Sequence, residues 1–176
     1  MIELKDLDNL HETNKKWVSE INNRVKKLRN CRFYLEAFYL FVQVVESRLK
    51  EVILLQEYWV EVILRKYNLS LNIDHLKKLD NKTLGDIIKI FDHYCPNKDL
   101  IKELNKLSSF RNKIVHHLID HRLEDVNNES EKFYRNFFEI IIDISRYEIK
   151  IYKDILKNSK KELNKINKKI KIAEMG

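Results

Sequence analysis

The fold is decided by the long apolar stretch CRFYLEAFYLFVQVVESRLKEVILLQEYWVEVILRKY, which occupies residues 31–67. Its large apolar side chains recur every three or four residues, which is the period of an α-helix. One face carries Tyr34, Leu35, Phe38, Phe41, Val42, Val45, Leu49 and Val52, and the residues Leu54, Leu55, Trp59, Ile63 and Leu64 widen it further along. Because this face is wider than a surface helix buries, we predict a central helix that is buried on more than one side, with a kink or break near Gln56–Tyr58.

The composition favours a single all-α domain over residues 1–176. The chain has only two glycines and one proline, whereas a sheet protein of this length would need more turn-forming residues. It has two cysteines, Cys31 and Cys95, and no signal-peptide pattern, which favours free thiols in a reducing cytoplasm over a disulfide framework. No span of about 18 residues lacks charges, so we expect a cytoplasmic protein with no transmembrane helix and no membrane partner.

Heptad-like spacing predicts long helices at both ends of the chain. The N-terminal helix covers residues 2–29, and the C-terminal helix begins near Glu129–Glu131, after a loop from Asp120 to Asn128. Their apolar stripes are Leu4, Leu7, Val18, Ile21, Val25 and Leu28 in the first helix, and Phe138, Ile142, Ser145, Ile149, Tyr152, Leu156, Leu163, Ile166 and Ile170 in the last. We expect the extension 157–176 to project beyond the core and to pack on the N-terminal helix.

The middle of the chain carries helix start and stop signals. Residues 68–82 are polar and turn-prone, with a short helix expected at Ile73–Leu79. The segment Thr83–Asp86 has the Thr-x-x-acid form of a capping box and predicts a helix that Cys95–Asn97 ends. Gly85, in the first turn of that helix, suggests the close approach of another backbone.

The charge of the chain is moderately basic. The net charge is +7 and the isoelectric point is about 9.2. From Lys150 to Gly176 there are nine lysines against three acidic residues, so this end holds most of the positive charge. The balance is consistent with a polyanionic partner, although a lysine-rich composition alone also produces it.

The segment SSFRNKIVHH, residues 108–117, departs from an otherwise ordinary amphipathic helix that begins near Asp99 and ends near Leu118 or Ile119. Arg111 lies in the middle of the apolar stripe, where a leucine would be expected. At about 100° per residue, the apolar residues that project within about 60° of it are Leu100, Leu104, Leu107, Ile114, Val115 and Leu118. A guanidinium in this position is costly unless it is paired or faces a polar cavity.

Three polar residues are candidate companions of Arg111. Glu46 lies at the edge of the buried face of the central helix and needs a partner, and Arg111 is one candidate for that partner. Asn112 and His116 are four residues apart, so they lie one turn above each other on the flank of the apolar stripe. Arg111 is then either part of a site or a structural arginine that fixes helix packing through Glu46.

The motif Arg111-Asn112-x3-His116 resembles the Arg–polar–x3–His motif of the HEPN superfamily (higher eukaryotes and prokaryotes nucleotide-binding). Its surroundings are also similar to those of that family, with a lone acid, Glu46, on a long apolar helix and the helix start Thr83–Ile88 before the motif. The resemblance covers about residues 31–157. It implies an up-and-down helical bundle, here with long N- and C-terminal helices, that forms a homodimer in which the two motifs meet across a two-fold axis. Many members are metal-independent RNA endonucleases of toxin–antitoxin, abortive-infection and CRISPR-linked systems.

These residue types suit the chemistry of metal-independent RNA cleavage. The 2′-hydroxyl of the RNA is the nucleophile, so the protein must move protons and stabilise charge on a phosphorane-like transition state. His116 suits proton transfer near neutral pH, and Arg111 suits bidentate binding of the scissile phosphate. Asn112 would orient His116 or bind a substrate oxygen, and Glu46 would support Arg111. The expected products carry a 2′,3′-cyclic phosphate and a 5′-hydroxyl.

The five-residue spacing of Arg111 and His116 favours a site made by two chains. On a helix the two residues diverge by about 140° and are separated by about 7.5 Å along the axis, so one helix makes a poor pocket. Two copies related by a two-fold axis would supply two arginines and two histidines around one cleft. We expect no metal or cofactor, because His117 and His121 lie four residues apart but no third ligand is evident.

One position departs from the pattern of some toxins in this superfamily. Those proteins carry a tyrosine two positions after the histidine, which a partner nucleotidyltransferase modifies, and Leu118 occupies that position here. Silencing by that route is not expected, while another antitoxin or defence-system partner stays open. Two further interpretations also stay open: a non-catalytic HEPN-like module that binds nucleic acid or a nucleotide, and a helical adaptor whose terminal stripes bind another chain.

Overall fold

The computed structural model describes residues 4–65, 67, 79–117, 123–134 and 137–173, and these residues form six helices. They are α1 (Leu4–Asn30), α2 (Tyr34–Arg65), α3 (Leu84–Tyr94), α4 (Lys98–His117), α5 (Leu123–Tyr134) and α6 (Phe137–Ala173). These residues contain no strand, so the predicted all-α class is confirmed. The short helix expected at Ile73–Leu79 falls, except for Leu79, outside the described residues.

Helix α2 is the centre of the fold, as its wide apolar face predicts. Its side chains without solvent exposure point to more than one side: Ala37, Phe38, Val44, Val45, Leu49, Val52 and Ile53. Helices α1, α3, α5 and α6 all pack against it. The predicted break near Gln56–Tyr58 is wrong, because α2 continues through these residues to Arg65, and the alternative of a kink there stays a prediction. The residue types there are helix-compatible, and neither glycine nor proline interrupts the helix.

The turn between α1 and α2 is held by a helix-capping motif and by a residue from α5. Helix α1 ends in a Schellman turn, in which the Phe33 amide donates to the Leu28 carbonyl at 2.9 Å. Arg32 takes the left-handed conformation that this turn requires, with φ of 63°. The side chain of Asn127 accepts from the Leu35 amide at 3.0 Å and donates to the Arg32 carbonyl at 3.0 Å. Helix α5 therefore fixes the start of α2.

Helix α3 begins at the predicted capping box. The Thr83 hydroxyl accepts from the Asp86 amide at 3.3 Å and donates to the Asp86 carboxylate at 2.7 Å. The helix ends before Pro96, as predicted. The close approach of another backbone that Gly85 suggests is not found. The atom nearest to a Cβ added at Gly85 is the side-chain Oγ of Ser108, at 3.6 Å.

Helix α5 replaces most of the loop that is predicted from Asp120 to Asn128, and α6 starts at Phe137 and not near Glu129–Glu131. The first turn of α5 is acidic, which complements the partial positive charge of a helix N-terminus. Its buried residues are Val126 and Ser130, and the Ser130 hydroxyl donates to the Val126 carbonyl at 2.8 Å. Among residues 123–131, whose side chains are described, these two are the buried positions, and one apolar buried residue in a polar stretch gives no visible helical period.

Helix α6 buries a different face from the predicted heptad seam. Two seam residues, Ile142 and Ile149, are 43% and 52% exposed. The buried apolar residues among those described are instead Ile140, Ile144, Ile151 and Ile155, at 5% exposure or less. Helix α6 packs on α2, α4 and α5, and the packing of α1 is mainly on α2. The expected contact of residues 157–176 with α1 stays a prediction, because the side chains beyond Asn158 lie outside the described part.

Candidate functional site on the fourth helix

Helix α4 presents its predicted apolar stripe to the core. Leu100, Leu104, Leu107 and Ile114 are all buried. The prediction is wrong for Val115, which is 46% exposed, and Leu118 lies outside the described residues. The helix starts at a cap that the sequence analysis does not assign, in which the side-chain oxygen of Asn97 accepts from the Leu100 amide at 3.1 Å. These contacts fix the rotation of α4 and hence the direction of its polar residues.

Arg111 is half-buried at the edge of the α4 stripe, beside the central helix. The preceding ring, Phe110, packs edge-on against Phe38 of α2 at a centroid distance of 5.1 Å. The Arg111 charge acts on the next α2 residue, Tyr39, whose pKa burial raises and the guanidinium lowers in part. Among the side chains that the structure describes, Arg111 has no carboxylate ion-pair partner. Its positive charge is therefore not neutralised by any of these groups.

Glu46 does not form the expected ion pair with Arg111. Its carboxylate lies 3.1 Å from the Lys50 ammonium group, one turn further along α2, and both side chains are partly exposed. The distance along α2 explains the difference, because Glu46 is seven residues, or about 10.5 Å, from the Tyr39 level at which Arg111 lies. The alternative in which Arg111 is a structural arginine paired with Glu46 is therefore wrong.

Of the other two motif residues, the structure describes the side chain of Asn112 alone. Asn112 is exposed, so its amide is open to solvent or to a ligand. His116 and His117 belong to the last turn of α4, but their side chains lie outside the described part of the structure. Since Arg111 and His116 belong to the same regular helix, they diverge by about 140°. The helix of one chain alone does not point both residues in the same direction.

A buried ion cluster joins α2 to α6, and the sequence analysis misses it. The Arg48 guanidinium contacts Glu51 at 2.9 Å and also donates to the carboxylate of Glu148. Glu51 and Glu148 are 5% and 3% exposed, so two carboxylates share one arginine in a setting of low water access. Arg48 and Glu148 are one hundred residues apart in sequence, and only the lack of an apolar residue at positions 48 and 148 could have indicated the pair.

A second cluster of titratable groups lies where α2 meets the end of α3 and the middle of α6. Burial raises the pKa of Glu57 to about 7, against the lowering effect of its hydrogen bond with Tyr94. Burial also raises the pKa of Tyr94, and that of Tyr147 to about 12. The Tyr147 hydroxyl donates to the Tyr94 carbonyl and so ties α6 to the end of α3. The buried thiol of Cys95, whose pKa burial also raises, completes the cluster.

We expect the Glu57→Gln variant to melt at the wild-type temperature at pH 4 and above it at pH 8. The folded-state pKa of Glu57, about 7, lies above the ordinary value of 4.5, so the folded protein holds this proton more tightly than the unfolded chain. The stability that comes from this tighter proton binding is fully present below pH 4.5 and is lost as the pH rises through 7. Glutamine at position 57 has no proton to lose, so the stability of the variant has no such dependence on pH. Thermal melts across this range measure it, and a difference in melting temperature that does not change with pH would contradict it.

The described residues contain neither a candidate metal site nor a helix that could span a membrane. No group of three or more His, Cys, Asp or Glu side chains among them is arranged to hold a metal ion. None of the described helices is both long and apolar enough to cross a membrane. Comparison with family models, with curated proteins and with solved structures finds no match to this chain. The resemblance to the HEPN superfamily therefore depends on the motif residues of α4 and their setting.

Proposed function

We propose that this protein is a metal-independent endoribonuclease of the HEPN type, and that Arg111, Asn112 and His116 are its catalytic residues. The proposal rests on the burial of Arg111 and on its lack of a carboxylate partner in the described part of the chain. Arg111 is half-buried near Tyr39 of α2, and no carboxylate among the described side chains neutralises it. A half-buried guanidinium without a carboxylate partner keeps its full charge for a phosphate group.

The reaction needs only groups that the motif and the RNA supply. The 2′-hydroxyl loses its proton to a base and attacks the adjacent phosphorus atom, the 5′-oxygen of the next nucleotide leaves with a proton, and a 2′,3′-cyclic phosphate forms. His116 serves in these proton transfers, since an imidazole changes charge near neutral pH. Arg111 stabilises the charge that develops on the phosphorane-like transition state, and Asn112 orients His116 or binds a substrate oxygen.

The active form of the enzyme is a homodimer with a composite site. Arg111 and His116 diverge by about 140° on α4, so one motif cannot surround one phosphate. Two motifs related by a two-fold axis place two arginines and two histidines around a single cleft. This architecture suits a toxin or a phage-defence effector, because an antitoxin or defence-system partner that alters the dimer also alters the activity.

A helical adaptor is the second candidate, and the exposed seam of α6 favours it. Ile142 and Ile149 keep heptad spacing on a face that no other described helix covers. An adaptor would lose its partner when Ile149 is replaced by a charged residue, and it would be insensitive to changes at His116. A non-catalytic module that binds RNA without cleaving it would lose binding with Arg111→Ala and show no turnover.

An RNA cleavage assay in excess EDTA tests the proposed function. The purified protein is incubated with labelled single-stranded RNA, and the product ends are analysed on a denaturing gel before and after treatment with a phosphatase that opens cyclic phosphates. We expect fragments with 2′,3′-cyclic phosphate and 5′-hydroxyl ends, and a molar mass of twice the monomer on the same sample. An absolute requirement for a divalent metal, or fragments that carry 5′-phosphates, would rule the proposal out.

A further inference from the structure

The outward face of α6 carries two large apolar side chains that no described helix covers. Ile142 and Ile149 are 43% and 52% exposed, and they project within about 20° of each other, one heptad apart. The buried residues Ile144 and Ile151 lie on the opposite side of the helix. Single exposed isoleucines are ordinary, but two at heptad spacing on one line are typical of a helix that packs against another helix.

Charged side chains follow one flank of this apolar line, and their sign changes halfway along it. At about 100° per residue, they project between about 20° and 100° to one side of Ile142. The acidic residues come first and the basic residues follow: Glu139 and Asp143, then Arg146, Lys150 and Lys153. The flank is therefore acidic before the midpoint between the two isoleucines and basic after it.

Helix α4 adds to the acidic half of this flank. Four carboxylates from two helices line a cleft of about 400 Å³ there, namely Asp99 and Glu103 of α4 and Glu139 and Asp143 of α6. No three of them are arranged to hold one metal ion. Lys106 is the one cation in the lining. The cleft thus keeps a net negative charge, which long cationic side chains suit.

The charges at the two ends of the flank are unpaired within their own chain. Glu139 at the acidic end, and Lys150 and Lys153 at the basic end, are exposed and have no ion-pair partner among the side chains that the structure describes. Between them, Asp143 pairs with Arg146 at 2.9 Å. Glu139 and Lys150 are about 16 Å apart along α6, too far to meet on the same helix.

We propose that α6 packs antiparallel against α6 of a second copy of this chain, about a two-fold axis that passes between Ser145 and Arg146. This alignment brings Ile142 of each copy against Ile149 of the other, because the two residues are equally far from the axis. Helices pack by setting the side-chain ridges of one into the grooves of the other, so two outward faces of this kind are sufficient.

The charge pattern selects a second copy in the antiparallel direction. Glu139 then lies within about 2 Å, measured along the helix axis, of the level of Lys153 of the second copy. Asp143 lies within about 3 Å of the level of Lys150 of the second copy, and both ammonium groups reach the acidic cleft. A parallel alignment would instead set acid against acid and base against base, which disfavours it.

The α6 contact is separate from the motif of α4. Its midpoint lies near the corner between α3 and α4, where the Tyr147 hydroxyl donates to the Tyr94 carbonyl. Arg111 is about 18 Å further along α4 than Asp99 of the cleft. Pairing through α6 therefore leaves the motif free to meet another copy and joins such dimers into a larger assembly. The inference goes beyond the proposed ribonuclease function and does not depend on it.

The test measures molar mass by light scattering at about 10 µM and about 500 µM protein, since a contact of two helical turns is small and hence weak. The salt concentration is about 0.05 M, so that exposed charges are little screened. Glu139→Lys and Lys153→Glu each reverse one charge, at opposite ends of the flank. The matched control is Lys26→Glu, which reverses an exposed lysine of α1. Circular dichroism melts verify that each variant folds.

We expect the wild-type mass at the high concentration to be about twice that at the low concentration or more. Each flank variant alone should associate about five-fold more weakly, because like charges then face each other at both ends of the contact. An equimolar mixture of the two flank variants should recover association to within about two-fold of wild type, since opposite charges again face each other in the mixed pair. Lys26→Glu should associate as wild type does.

Two outcomes would overturn the proposal. A mixture that associates no more strongly than Glu139→Lys or Lys153→Glu alone would do so, because positions 139 and 153 meet only in the antiparallel pair. A wild-type mass that is the same at both concentrations would also do so, in favour of a different protein on this face of α6.

The same samples separate this inference from the proposed function. If the protein cleaves RNA in EDTA and its mass stays at twice the monomer at both concentrations, the ribonuclease proposal stands and the α6 proposal fails. If the mixture recovers association and no sample cleaves RNA, the α6 proposal stands and the ribonuclease proposal fails.

Discussion

Replacing His116 by alanine is expected to slow RNA cleavage by about 10²–10⁴-fold, which is the usual contribution of a positioned acid or base. The 2′-hydroxyl is a poor nucleophile until its proton is removed, and the leaving 5′-oxygen needs a proton in the same step. Alanine can do neither, so the loss appears in kcat. The affinity for an uncleavable RNA with 2′-O-methyl riboses should change little, because Arg111 is still present to bind the phosphate.

The matched control for this prediction is the neighbouring histidine. His117→Ala removes the same ring one position along the same helix, at about 100° to His116. It should retain wild-type kcat, and both variants should keep the molar mass of the wild-type protein. Single-turnover cleavage rates with saturating enzyme measure the effect. Equal rates for wild type and His116→Ala, or an equal loss in His117→Ala, would remove His116 from the catalytic residues.

The parts of the fold that the sequence predicts correctly are those that depend on residues close together in the chain. The face of α2 is so rich in apolar residues that only a central position buries it. The cap of α3 is similarly local, since Thr83 and Asp86 satisfy each other within one turn. The position of Arg111 on an apolar stripe is also local, and the structure places it there, half-buried beside Tyr39.

The parts that do not follow are those decided by partners distant in sequence. Helix α6 has two apolar stripes, and only its packing on α2, α4 and α5 determines that Ile144 is buried and Ile149 exposed. Helix α5 is positioned by the hydrogen bond of Asn127 with Leu35, ninety-two residues away. The predicted partner of Arg111 fails for the same reason, because the sequence does not show that Arg111 lies at the level of Tyr39 on α2 and not at that of Glu46.

The buried ion cluster carries the largest expected effect on stability. We expect Arg48→Met to lower the free energy of unfolding by about 3–5 kcal/mol, the usual cost of removing one partner from a buried ion pair. Methionine fills most of the same space, so the loss comes from the charge and not from a cavity. Glu51 and Glu148, both almost fully buried, would lose the guanidinium that they share. Urea denaturation followed by far-UV circular dichroism gives the value.

Two comparisons separate the charge from the packing. Lys50→Met removes a cation two residues further along α2, which pairs with the partly exposed Glu46, and it should cost no more than about 1 kcal/mol. The triple variant Arg48→Met/Glu51→Gln/Glu148→Leu removes all three charges together, and it should be more stable than Arg48→Met alone, because the cost of the single variant lies in two buried carboxylates that lose the guanidinium. A triple variant less stable than Arg48→Met would show that Glu51 and Glu148 stabilise the fold without the arginine. A loss below about 1 kcal/mol for Arg48→Met would show that water already screens the cluster, so that the junction of α2 and α6 depends on its apolar contacts.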